Sequence, residues 1–449
     1  MGKNSSIPNI NGYRKQAVEY LKGLVPVLRW PGGCYADDYH WRDGIGSKRP
    51  KTVNLSWSNT IDDNSFGAHE FIGLCRLIGA QPYLAGNVGS GTPEELRDWM
   101  EYCNFPSGSS LADERAANGS PEPFNVKYWG VGNENWGGGG QMSGDEYAAL
   151  YRRFTTYLRG FGSPIFLVAC GPSTNDKNWT TKFWEHMPST GPGRRGRVVD
   201  GFAIHYYSRG SSFATRFNQA AMEKQFASFA DIERTIVEQR ALIDNLDPAK
   251  RASLILDEWG VWDRISPEDE KQHGRLWQPI TMRSAVAAGL GLNMIHRQAD
   301  KLVMTNIAQM VNVLHSLLLT DNQNCVRTST YYVYEMTKPH LSQTAVLSEV
   351  ESGDPIGLSV SVSRQERDLV LTLVNPKADS GMAVHCSLAG GSATGATGRI
   401  LHHSDLNAEN TFTDPNRITP GDHKISIDNA RISVELPPLS VVTATVRLA

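Results

Sequence analysis

Glu134 and Glu258 each close an apolar, strand-like run and open onto an aromatic, glycine-flanked loop. The first run is Val126-Lys127-Tyr128-Trp129-Gly130-Val131-Gly132-Asn133-Glu134-Asn135-Trp136, and the second is Ser253-Leu254-Ile255-Leu256-Asp257-Glu258-Trp259-Gly260-Val261-Trp262. A carboxyl at the C-terminal end of a buried strand stands where a (β/α) barrel places its chemistry. Two such carboxyls facing one pocket can break a glycosidic bond: one protonates the leaving oxygen while the other acts from the opposite face of the sugar. The acid of such a pair must keep its proton near neutral pH, which burial beside a like charge favours. Asn133, next to Glu134, offers an amide for a sugar hydroxyl.

Something must carry these carboxyls, and the order of elements supplies it. From residue 13 to about 320, short apolar runs alternate with helical patterns. Tyr13 to Leu24 reads as a helix and Leu24 to Trp30 as a strand ending in Pro31-Gly32-Gly33. Phe71, Leu74, Cys75 and Ile78 fall at helical spacing, and Gln81 to Asn87 follows as a strand. After the strand that leads to Glu134, a helical face (Tyr147, Leu150, Tyr151, Phe154, Leu158) precedes strands at Ile165–Ala169 and Val199–Tyr207. A long helix over roughly 217–246 leads to the strand of Glu258, and Leu292 to His296 reads as the last strand, before a helix through Ile307, Val311 and Leu314. Alternation of this kind predicts a parallel sheet wrapped by helices, and the length favours a closed barrel. The absence of a Gly-x-Gly-x-x-Gly in the first strand–helix turn argues against a dinucleotide-binding sheet. The count is seven strands, one short of a closed barrel, with the first as the simplest one to be missing.

After about residue 340 the period changes to two. Ile356 to Ser363, Leu369 to Asn375, Ala383 to Leu388 and Val441 to Val446 alternate between turn residues, which predicts an all-β sandwich. The expected organisation is therefore a barrel over 1–340 and a sandwich over 341–449.

Composition narrows the partners. Of 449 residues, 40% are hydrophobic and 20% charged, and a net charge of −3 gives no electrostatic reason to bind nucleic acid or anionic lipid. No apolar run reaches the length of a membrane span. Met1 to Pro8 has no apolar signal core, so a cytoplasmic location is expected. The six scattered cysteines form no Cys-x-x-Cys pair and read as reduced thiols. His402-His403 lacks the partner spacing of a metal site, and Gly137–Gly140 lacks the Gly-Lys-Ser/Thr of a phosphate loop. No metal or cofactor is expected. His205, at a strand end, reads as a pocket or support residue.

Three segments carry a resemblance: Arg29-Trp-Pro-Gly-Gly-Cys-Tyr-Ala-Asp-Asp-Tyr-His-Trp-Arg-Asp-Gly-Ile-Gly46, Trp129 to Trp136, and Leu256 to Trp262. Together with Asn306 to Leu314, in the right order, they resemble glycoside hydrolase family 51, the α-L-arabinofuranosidases, over roughly residues 10–449. The resemblance implies a (β/α)8 barrel with a β-sandwich, retaining cleavage without metal, and removal of terminal arabinofuranosyl groups from arabinan, arabinoxylan or their fragments. It also implies a homo-oligomer, often a hexamer. By position, Glu134 resembles the acid/base, Glu258 the nucleophile, Asn133 the ligand of the sugar 2-hydroxyl, and Tyr207 the tyrosine that hydrogen-bonds the nucleophile. Arg29, Cys34, Trp57, Trp262 and Gln309 correspond to substrate-binding pocket residues. Family members carry an upstream segment with the first barrel strand and a Phe-Ala-Glu-like motif. The sequence here opens without it, so the strands ending at Trp30 and near His296 are expected to flank a slot. Two competing readings are a related retaining barrel glycosidase of endoglucanase or xylanase type, and a carbohydrate-binding protein without turnover.

Overall fold

Buried parallel strands are covered on both faces, so their side chains run apolar without alternation. Segments of this kind, with a less apolar strand at one edge, form one sheet. They are β1 (Val27–Trp30), β2 (Gln81–Gly86), β3 (Tyr128–Val131), β4 (Phe166–Ser173), β5 (Gly201–Phe213), β6 (Ser253–Arg264) and β7 (Leu302–Ile307). In the computed structural model, which describes residues 5–57, 59–187, 199–213, 217–248, 251–351 and 357–449, their order is β7-β6-β5-β4-β3-β2-β1. The pairs from β1 through β5 are parallel, with Arg29 beside Tyr83, Tyr83 beside Tyr128 and Tyr128 beside Phe166. Helices connect successive strands, which is the pattern of a (β/α) barrel. Local signals set their ends. Thr92 Oγ1 accepts the Glu95 amide at 3.1 Å to start the helix Pro93–Asn104, and Gly79, at φ +80°, ends Ala68–Ile78 in the left-handed turn that favours glycine.

Two expectations are corrected. Leu292 to His296 is not a strand but part of the helix Met282–Arg297. Nearly every residue of that helix is buried, so it lacks the polar stripe that marks a helix in sequence, and a short window of it looks like a buried strand. The seventh strand is Leu302–Ile307, which makes β7 the edge opposite β1. No helix runs through Ile307, Val311 and Leu314 either, because Asn312 (φ +61°) and Leu314 (φ +50°) hold left-handed backbone that a right-handed helix cannot contain.

The chain packs as two compact units whose boundary passes through β5 and β6. One holds residues 9–205 and 235–257, and the other 5–8, 206–234 and 258–449. The first contains β1–β4 with the opening halves of β5 and β6.

The second unit contains the antiparallel strands that follow residue 340. These are β8 (Thr344–Val346), β9 (Ser359–Gln365), β10 (Asp368–Asn375), β11 (Met382–Ser387), β12 (Ala393–His402), β13 (Gly421–His423), β14 (Ser426–Asp428), β15 (Arg431–Leu436) and β16 (Ser440–Leu448). They make a six-stranded sheet, β8-β9-β10-β16-β12-β13, and a three-stranded sheet, β11-β15-β14. Ile356, where the expected period-two run begins, lies outside the described residues. Leu369, Leu371 and Leu373 of β10 join Val384, Ile432, Val434, Val442 and Val446 in one core. The alternate residue Val374 faces the helix Met282–Arg297, where a Cβ on Gly289 would stand 2.9 Å from the valine methyl. Both faces of β10 are therefore covered, which explains its continuous apolar run.

Polar groups in this unit are matched to one another. His340 bonds Ser363 Oγ at 2.7 Å through Nδ1 and Thr372 Oγ1 at 2.8 Å through Nε2. His315 Nδ1 accepts the Val261 amide at 3.3 Å and its Nε2 meets the Ser284 carbonyl at 2.8 Å, so the neutral ring with the proton on Nε2 fits. Burial pushes His315 down to about 4, with the Arg283 charge adding to it, and pushes His340 down to about 3, with His296 adding to it. The unfolded chain takes up these protons near 6.5, before the folded chain does. The stability these neutral rings contribute is thus present above about 6.5. It is lost as pH falls toward about 4 for His315 and about 3 for His340. His340→Gln keeps hydrogen-bonding capacity without a titrating ring. Its melting temperature should fall less between pH 7 and pH 4.5 than that of the parent. Equal falls in parallel thermal melts would contradict this origin.

Candidate active site

In the first unit, a pocket opens at the C-terminal ends of the strands, lined by Arg29, Tyr83, Asn133, Glu134, His205 and Asp257 among others. Asp257 is its buried anchor, 3% exposed. Its Oδ2 receives Tyr83 Oη at 3.0 Å and lies 3.2 Å from Arg29 Nε and 3.9 Å from His205 Nε2. Burial alone would push this carboxyl up. The Arg29 charge, together with His205 and Tyr83, outweighs burial and holds it below the usual carboxylate range. Arg29 also donates through Nη2 to Asn133 Oδ1 at 2.5 Å. That bond fixes which end of the Asn133 amide faces the pocket. Its buried Nδ2 has no hydrogen-bond partner among the described residues.

Glu134 follows β3 in left-handed backbone, φ +46°, a conformation that costs a non-glycine residue about 1 kcal/mol or more. The loop after it closes back, with Gly137 N donating to Glu134 O at 2.7 Å. Glu134 Oε1 lies 3.0 Å from His205 Nδ1, and Oε2 receives the Cys34 thiol at 3.7 Å. Burial pushes the Glu134 carboxyl up, but His205, Cys34 and Arg29 more than offset it, and the net position is below that of an ordinary glutamate.

In the second unit, Tyr207 Oη donates to Glu258 Oε2 at 2.6 Å, and the Tyr207 ring stands edge-on to Trp262, centroids 5.1 Å apart. The Arg209 guanidinium lies 5.2 Å from the Trp262 ring. Gln278 brackets Trp262 from behind, accepting the Asp263 amide at 3.0 Å and donating to Val261 O at 3.2 Å.

The contacts above tie Arg29 to Asn133 and Cys34 to Glu134 in the first unit, and Tyr207 to Glu258 and Trp262 in the second. Trp57 lies between the strands of a hairpin, Thr52–Asn54 with Thr60–Asp62, where its amide donates to Asn54 Oδ1 at 3.1 Å. It is not among the residues lining the pocket of the first unit. Gln309 is exposed just past β7, on a segment tied to β6 by the Ala308 amide on Trp259 O at 3.0 Å. Sequence reasoning passed over Tyr83 and Asp257 as site residues and left His205 as a support. The signal for Asp257 was present, since an acid directly before Glu258 at the end of a buried strand needs a cation, and Arg29 is the one it meets.

Known proteins carry the same arrangement of segments. Residues 20–225 match the alpha-L-arabinofuranosidase 1 domain, and residues 257–440 match the alpha-L-arabinofuranosidase C-terminal domain. The chain is 41% identical, over 99% of its length and 88% of the relative's, to an intracellular exo-alpha-L-arabinofuranosidase of Bacteroides ovatus. Its fold is similar to that of the GH51 arabinofuranosidase of Xanthomonas axonopodis pv. citri, with 35% identity, a TM-score of 0.92 and coverage of 100% of this chain and 92% of that one. The alpha-L-arabinofuranosidase of Thermotoga maritima, solved as an arabinose complex, gives 29% identity and a TM-score of 0.87 over 99% of this chain and 92% of that one. On this likeness over its whole length, the chain belongs to glycoside hydrolase family 51, the α-L-arabinofuranosidases.

Proposed function

We propose that this arabinofuranosidase works from the chain end and with retention, releasing terminal arabinofuranosyl groups from arabinan, arabinoxylan or their fragments. Glu258 is the nucleophile and Glu134 the acid/base. The observation that carries the reading is the unequal setting of the two carboxyls. Glu258 accepts a phenol O–H at 2.6 Å, which orients its carboxylate, whereas Glu134 shares a 3.0 Å bond with an imidazole nitrogen. In the first step Glu258 forms a bond to the anomeric carbon as the glycosidic bond breaks. Glu134 gives a proton to the leaving oxygen as it departs. In the second step Glu134 takes a proton from water, and the water oxygen displaces Glu258. Asn133 Nδ2, buried with its other end held by Arg29, is the donor for the 2-hydroxyl. Cys34, Tyr207, Trp262, Trp57 and Gln309 complete the sugar site.

Methanol as acceptor tests the stereochemistry. Turnover of a nitrophenyl α-L-arabinofuranoside in dilute methanol should first yield methyl α-L-arabinofuranoside, observed by proton NMR. The β-methyl product would overturn retention. Cleavage of unsubstituted xylan or cellulose would favour the endo reading, and tight arabinose binding without turnover the binding-protein reading.

The same reading places the enzyme in the cytoplasm. One relative is described as intracellular, no disulfide joins the six cysteines, and no helix among the described residues is long and apolar enough to cross a membrane. It also makes the active form a homo-oligomer, a hexamer by family resemblance. Sedimentation at working concentration checks that state.

A further inference from the structure

Beneath the Glu134 loop lies a carboxylate that neither the proposed mechanism nor the family resemblance uses. Asp37 ends a short 3-10 helix, Cys34–Asp37, just after β1, and it is 5% exposed. Its Oδ1 accepts the backbone amides of Val88 at 2.8 Å and Gly89 at 3.0 Å, in the loop after β2. Its Oδ2 accepts the backbone amide of Asn133 at 2.8 Å and Asn135 Nδ2 at 3.3 Å, on the two sides of Glu134. Asn135 Nδ2 also reaches Gly139 O at 2.9 Å, at the far end of the glycine loop. One side chain therefore ties together the segments that follow three neighbouring strands.

The close approach depends on glycine. A Cβ on Gly139 would stand 2.2 Å from Asp37 Oδ2, and one on Gly89 would stand 2.8 Å from Asp37 O. Both Asp37 oxygens face only donors, so the carboxylate is the form that these bonds use. Burial raises the group to about 7, against the downward pull of the amides of Val88, Asn133 and Gly89 and the charge of Arg29. Glu134 itself sits in a backbone conformation that ordinary residues avoid, at φ +46°, and such strain persists only where the surroundings impose it.

We propose that Asp37 is a positioning residue for the acid/base step: by gripping the chain on both sides of Glu134, it imposes the left-handed turn that points the Glu134 carboxyl at the leaving oxygen. Asp37 touches no substrate. Its loss mis-aims the acid without removing it. This rests on Glu134 being the acid/base, so the test carries Glu134→Ala alongside.

The experiment compares two arabinofuranosides, one with a dinitrophenol leaving group that departs without protonation and one with an alkyl alcohol that needs it. Asp37→Asn and Gly139→Ala are measured with each, the glycine variant pressing a methyl against both Asp37 Oδ2 and the Asn133 carbonyl. Expected is a fall in kcat of about 100-fold or more on the alkyl substrate, set against roughly threefold or less for glycosyl-enzyme formation from the dinitrophenyl one. A structural role alone lowers both in step with the folded fraction, which a thermal melt monitors. If Asp37→Asn does not fold, Gly139→Ala decides alone. Equal losses on the two substrates, or none on either, overturn the proposal when Glu134→Ala still shows the leaving-group signature. If Glu134→Ala lacks that signature, the acid/base assignment fails instead, and the positioning role fails with it.

Discussion

Glu258→Ala is expected to reduce arabinofuranoside hydrolysis to background on every substrate, whatever its leaving group. Without the carboxylate no bond forms to the anomeric carbon, and no covalent intermediate accumulates. Glu134→Ala should behave differently. On poor leaving groups it should lose about 10²–10⁴ in kcat, the usual worth of a general acid, while aryl substrates with good leaving groups still form the glycosyl-enzyme. Azide separates the two roles. Added to Glu258→Ala, the anion enters on the nucleophile's side and gives the inverted glycosyl azide. Added to Glu134→Ala, it intercepts the covalent intermediate from the acid/base side and gives the retained azide. The same anomer from both variants would contradict the assignment. Tyr207 sharpens the test, since its O–H sits 2.6 Å from Glu258 Oε2. Tyr207→Phe should slow formation of the intermediate with both good and poor leaving groups, with no leaving-group signature.

The chemistry of the two strand ends was legible in sequence for a physical reason. A buried parallel strand must be apolar on both faces, so an acid at its end stands out against the run that carries it. The same rule failed at Leu292–His296, because a helix buried all round is also apolar on every face and only its length tells it from a strand. It failed again at Leu302–Ile307, whose Val303 is exposed at the sheet edge and whose Thr305 and Asn306 break the run. The change of pattern near residue 340 was legible as a change of secondary structure, whereas packing joins the earlier helix Met282–Arg297 to β9 and β10, through Asn293 on Ser359 and Thr372. The site's electrostatics were out of reach. The direction of the Glu134 shift depends on His205, which is remote in sequence, and nothing local to Asn133-Glu134-Asn135 predicts it. Asp37 was hidden for a related reason. A carboxylate whose partners are backbone amides in two other loops leaves no trace in side-chain spacing.

The largest expected loss of stability lies behind Trp262. Arg283 and Asp263 form an ion pair in which the residues are 1% and 5% exposed, with Gln225 Nε2 donating to Asp263 Oδ1 at 2.9 Å and the guanidinium carbon 3.9 Å from the Phe217 ring centre. Burial pushes the Asp263 carboxyl up and the Arg283 guanidinium down, and each is opposed chiefly by the other. Arg283→Met removes the opposing charge and leaves a carboxyl that must either stay ionised in an apolar setting or take up a proton. Breaking a buried pair in this way typically costs about 3–5 kcal/mol. The Asp263 amide is held by Gln278, so the displaced carboxyl also disturbs the strand segment that presents Trp262. Arg283→Met should therefore unfold at a lower urea midpoint and, where still folded, show a raised KM with kcat less affected. Arg283→Met combined with Asp263→Leu removes both charges together, and it should recover most of the lost stability, because the penalty lies in the orphaned carboxyl and not in the missing attraction. A double variant no more stable than Arg283→Met would show that the arginine acts through its packing on Phe217 instead.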